Sequence, residues 1–94
     1  MMAERIRLAL WQFPESDFAA WCELVGTPDV TDFAGYLTLL AAVQADQERQ
    51  GREVVRVKLT VAAMRAALAK HDLENTADSR AAITASLGTW QTRT

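Results

Sequence analysis

Residues Arg5 to Trp11 alternate, with Ile6, Leu8 and Leu10 on one side and Arg5, Arg7, Ala9 and Trp11 on the other. That period of two predicts a half-buried strand. The same run places Ile6, Leu10 and Phe13 at helical spacing, so a helix over 3–13 is the competing reading, and Pro14 ends either one. A second alternating run, Glu53 to Leu59, sets Val55, Val57 and Leu59 opposite Arg56 and Lys58. Its β-branched content predicts a second strand.

Between and after these runs the period lengthens to that of helices. Phe18, Trp21, Cys22 and Val25 form an apolar stripe after Ser16 or Asp17 as cap, and Gly26 stops it. Thr31 or Asp32 caps a longer helix carrying Phe33, Tyr36, Leu37, Leu40 and Val43. Its polar end, Gln44 to Gln50, is expected to project into solvent, and Gly51 supplies the left-handed stop. Thr60 caps a third helix with Val61, Met64 and Leu68 inward, and Lys70 and His71 suit its negative end. Leu73 is expected to pack after the turn. Asn75 or Thr76 caps a last helix with Ala77, Ile83 and Leu87 inward, ended by Gly88.

The expected fold is therefore α+β and mostly helical, with about four helices and two short strands. The order strand, helix, helix occurs twice at an offset of about 43 residues, as a strand-helix-helix pseudo-repeat would have it. Ala19 and Ala20 then align with Ala62 and Ala63, Trp21 with Met64, and Val25 with Leu68. A two-stranded ribbon is barely stable alone, so the helices must cover one face.

Composition adds one domain over 1–94, with 91–94 as a frayed tail. The chain has 94 residues, half of them hydrophobic, and a formal charge of −2, a balance that forms a packed core rather than a disordered chain. A chain of this size buries only about 60–65% of the surface it exposes when unfolded, which favours coverage by a partner or a second copy. Charge is unevenly placed. Residues 1–48 hold two cations against eight carboxylates, net −6, and residues 49–94 hold eight against four, net +4. No apolar run approaches the roughly 20 residues that span a bilayer, and the first residues lack a secretory core. With one thiol, Cys22, the expectation is a cytoplasmic protein without membrane attachment.

The candidate chemistry is sparse. Only Cys22, His71 and Asn75 could form a thiol-imidazole constellation, and Cys22 lies on an apolar stripe where its thiol is expected to be inert. One Cys and one His exclude a zinc site of ordinary type. The carboxylates lack calcium-loop spacing, and Gly26, Gly35, Gly51 and Gly88 are scattered, forming no phosphate-binding loop. No catalytic residue, metal or cofactor is expected.

Residues Leu59 through Ile83 resemble a helix-turn-helix unit, capped helix, turn and capped helix. The resemblance implies Asn75, Thr76, Ser79 and Arg80 at base edges, with Arg56, Lys58, Arg65 and Lys70 on phosphates. It departs from the pattern at Asp72, where glycine is usual, and at Asp78 and Ala81, where branched aliphatics are expected; Glu74 and Asp78 also bring negative charge. The other signal is three indoles, for each of which core packing is the favoured reading, while Trp11 and Trp90 are also candidate interface anchors. The favoured expectation is a non-enzymatic protein-interaction or regulatory module that engages another protein or itself as a homodimer. A DNA-binding regulator using residues 60–87 is the alternative.

Overall fold

The computed structural model describes residues 7–26 and 28–91, with side chains as far as Leu87. Strand β1 (Arg7–Gln12) leads through a 3-10 turn (Glu15–Asp17) into α1 (Phe18–Val25) and α2 (Phe33–Arg49). Strand β2 (Glu53–Lys58) leads into α3 (Val61–Lys70) and α4 (Ala77–Gln91). This is a small, mostly helical α+β fold with four helices and two short parallel strands, and strand, helix, helix does occur twice.

β1 and β2 pair in register from Arg7 with Glu53 to Gln12 with Lys58. Residues paired this way share a face, so Ala9, Trp11, Val55 and Val57 lie on one side and Leu8, Leu10, Val54 and Arg56 on the other. Arg56 reaches Gln44 of α2, which assigns the second face to α2. Val57 on the first face is completely buried, and α4 packs on both strands. Strand rather than helix is thus the outcome for residues 7–12, while Arg5 and Ile6 lie outside the described residues.

Alternation did not reveal which side faces inward. Trp11 is 8% exposed and its indole N–H donates to the Leu59 carbonyl at 2.7 Å, whereas Leu8 and Leu10 are only half-buried. Directly after the strand comes Phe13, 1% exposed. Its ring contacts those of Trp11, Phe18, Trp21, Phe33 and Tyr36, with centroids 4.5 to 6.4 Å apart. Edge and offset contacts of this kind add about 0.5–1.5 kcal/mol per pair to plain burial. Leu24, Leu40, Val61, Met64, Leu68 and Ile83 complete the core.

The helix caps follow the sequence closely, with one exchange of partner. Asp32 accepts from Gly35 N at 2.7 Å and Thr60 accepts from Ala63 N at 3.1 Å. A methyl group at Gly35 would meet that Asp32 oxygen at 3.1 Å, so the absent side chain lets the cap close. Asp17 sits at the N-cap of α1 but does not cap it; its carboxylate accepts instead from Val61 N, 44 residues on, at 2.9 Å. The start of α3 thereby holds two side-chain acceptors, one local and one from the first half of the chain.

Other expectations need correction. The polar end of α2 does not project wholly into solvent: Gln44 and Gln47 are half-buried and bond Arg56 and Arg52. Gly88 does not end α4, which continues to Gln91; residues 92–94 of the expected frayed tail lie outside the described residues. Ala77 is exposed, and Leu73 is 41% exposed rather than packed. Asp72 holds the left-handed turn conformation, φ 54°, without being glycine. Gly51 takes that conformation as expected, at φ 84°.

Tyr36 ties α2 to β1 by donating its hydroxyl to the Trp11 carbonyl at 2.5 Å. Burial pushes its pKa up to about 12, with Arg56 pulling the other way. In the unfolded chain a tyrosine ionises near pH ~10, so this group's stabilisation is complete below that pH and is lost as pH rises toward its folded pKa. Tyr36→Phe is expected to lower stability by about 1 kcal/mol near pH ~7 and to flatten the alkaline decline. Urea unfolding of both chains on either side of pH ~10 checks this, and an equal alkaline slope in the two would refute it.

Candidate functional site

The residues that a helix-turn-helix would use are largely committed to holding the fold. Asn75 donates its amide to the Leu24 carbonyl at the end of α1, 2.7 Å away, and accepts from the Arg80 guanidinium. Thr76, not Asn75, caps α4: its hydroxyl oxygen accepts from Ser79 N at 3.1 Å and also meets the Ser79 hydroxyl. Arg80 is half-buried, and desolvation lowers its pKa. Arg56 lies under α2, bonded to the side-chain oxygens of Gln44 (2.9 Å) and Gln12 (3.3 Å). Of the candidate cations Lys58, Arg65 and Lys70 are exposed, Lys58 at the end of β2 and the other two on α3; Asn75 and Thr76 are exposed as well. Connection 71–76 is six residues long where the motif ordinarily uses three or four. Helix α4 also packs on both strands and on α3, so it stands inside the fold rather than out from it.

The interface candidates fare differently. Trp11 belongs to the core, the reading favoured for each indole, and its one polar atom is satisfied within the chain, so it is removed as a candidate surface anchor. Trp90 falls in α4, where its side chain lies outside those described. The large apolar side chains that do reach the surface are Leu39 of α2, 48% exposed, and Leu73 between α3 and α4. Leu39 had a legible signal: it is the leucine of α2 that falls off the Phe33, Tyr36, Leu37, Leu40 stripe. Leu73 did not, because an apolar residue just past a helix ordinarily packs back on it.

Two concavities accompany these residues. A groove of about 330 Å³ runs between α3 and α4, lined by Ala67, His71, Leu73, Ala82, Ile83, Ser86 and Leu87. Small side chains on both helices open it, and Leu73 stands at its mouth. A cleft of about 460 Å³ lies where both strands end, lined by Gln12 to Glu15, Phe33 and Lys58 to Thr60. Among the described residues no three His, Cys, Asp or Glu side chains gather as a metal site would require, and no helix is long and apolar enough to cross a membrane.

Among the described residues two ion pairs join the charged halves. Arg7 pairs with Glu53 at 3.2 Å, the cation coming from the acidic half, and Arg49 with Asp46 at 2.9 Å within one helix end. Both are exposed and worth little individually.

The class defined by these features is a small mostly helical α+β protein with a closed aromatic core and an apolar surface groove. In comparisons with known proteins, the chain matches no family, no curated protein and no solved structure.

If Asn75 ties α1 to α4, Asn75→Ala should lower stability by about 1–3 kcal/mol, since it strips a partner from the Leu24 carbonyl and from Arg80. Arg65→Ala, on the exposed side of α3, should stay within about 0.5 kcal/mol. Equal midpoints for the two variants in urea would contradict the assignment.

Proposed function

We propose that this chain is a cytoplasmic, non-enzymatic interaction module that pairs with a second copy of itself, Leu39 of one copy entering the α3/α4 groove of the other. The observation that carries this reading is the position of the two exposed leucines. Almost all other large apolar side chains among the described residues are folded away, yet Leu39 and Leu73 stand 48% and 41% exposed, one in each half of the chain. Leu73 marks an apolar concavity and Leu39 is an apolar projection on a helix, the two halves of a helix-in-groove contact.

Charge supports the same pairing. Leu39 belongs to the half with net charge −6, and the groove to the half with net charge +4. Helix α3, one wall of the groove, carries Arg65 and Lys70 and no carboxylate, although Asp72 and Glu74 flank Leu73 itself. Two such contacts related by a two-fold axis would bring each acidic half to the basic half of the other copy. The single thiol, Cys22, half-buried in α1, suits a reducing compartment.

Light scattering on the intact chain should show a dimer whose dissociation constant rises with salt. Leu39→Glu and Leu73→Glu should each weaken it at least about tenfold, or about 1.4 kcal/mol. An equimolar mixture of the two variants retains one unaltered contact and should associate more tightly than either alone. A native chain that stays monomeric at millimolar concentration, or variants that dimerise as it does, would overturn the proposal.

A further inference from the structure

Parallel strands end at the same edge of their sheet, and each chain segment then turns away into its own helix, leaving a crevice between the two turns. Here β1 leaves through Phe13, Pro14 and Glu15, and β2 through Leu59 and Thr60. The cleft of about 460 Å³ that results is of ligand size and shares no residue with the α3/α4 groove. Its apolar wall comes from Pro14, Phe33 and Leu59. Glu15 and Lys58 line it as opposite charges, both exposed, and they form no ion pair with each other.

Helix α3 begins at this cleft, and a helix start ordinarily attracts a phosphate. That role is already filled from within the chain. Val61 N donates to the Asp17 carboxylate and Ala63 N to the Thr60 hydroxyl, and a second anion there would meet the Asp17 charge. The anion partner left at the cleft is therefore the Lys58 ammonium, and the cation partner is the Glu15 carboxylate.

We propose that this cleft binds a small zwitterion of the amino-acid class. Its carboxylate sits at Lys58, its ammonium at Glu15 and its apolar side chain against Phe33 and Leu59. The inference goes beyond the self-association described above and does not rest on it.

The test is a titration of the isotopically labelled intact chain with L-leucine, followed by amide chemical shifts. Saturable shifts confined to residues 12, 13, 15, 33 and 58–60, with a dissociation constant of about 1 mM, are expected. Lys58→Gln and Glu15→Gln, both surface changes, should each raise that constant at least about tenfold. N-acetyl-L-leucine and L-leucine methyl ester, each lacking one charge, should bind at least about tenfold more weakly than L-leucine. No saturable shift up to about 20 mM overturns the proposal, as do shifts centred elsewhere. Blocked forms that bind as well as L-leucine, or variants that bind it as the native chain does, also overturn it. Repeating the titration in the Leu73→Glu chain should give the same constant, which separates this cleft from the groove.

Discussion

The rest of the structure depends on the burial of one ring. Phe13 follows immediately after β1, and the aromatic side chains of the strand itself, of α1 and of α2 close around it. A short two-stranded sheet contributes little on its own. What fixes the direction in which the chain leaves β1 is that Phe13 must point into this cluster while Pro14 limits the backbone beside it. Because α1 and α2 both present rings to the same side chain, they are placed relative to the sheet and to each other in a single packing event.

Polar ties then lock the periphery to that core. Asp17 reaches the start of α3, Asn75 reaches the end of α1, and Tyr36 reaches the backbone of β1. Each satisfies a backbone group that no helix or strand ladder would otherwise use, and each joins elements distant in sequence. Among the described residues no buried side-chain nitrogen or oxygen lacks a partner. Of the side chains a nucleic acid would need, Asn75 is one of these ties, Thr76 caps its own helix, and Arg56 bonds the side chains of Gln44 and Gln12.

What the sequence made legible is local. Asp32 and Thr60 declare their helices because a cap acts within three residues, and Val61, Met64 and Leu68 declare the buried side of α3 because helical spacing is local too. The strand over 7–12 was readable as a strand, but its inward side was not: alternation is symmetric, whereas in the fold Trp11 is buried in the core with its indole donating to the Leu59 carbonyl. Asp17 had the right residue type for a cap and the wrong helix, since nothing local marks Val61 as its partner. Gly88 continues the helix it was expected to stop, because glycine permits a stop without enforcing one. Of the surface now singled out, Leu39 was readable from its place off the stripe, while the cleft exists only once both strand ends have been brought side by side.

Parallel pairing carries a consequence for how the chain reaches its fold. Arg7 and Glu53 are 46 residues apart, and a parallel pair cannot be closed by a tight turn. Loop-closure entropy must therefore be met before the strand contact forms, which places β1 with β2 late and raises the contact order above that of a simple helical bundle. Neither strand-helix-helix half contains a partner for its own strand. The sheet is consequently shared between the two strand-helix-helix halves despite their repeated order, and severing the chain between α2 and β2 should leave two pieces that recover the strand pairing only by finding each other.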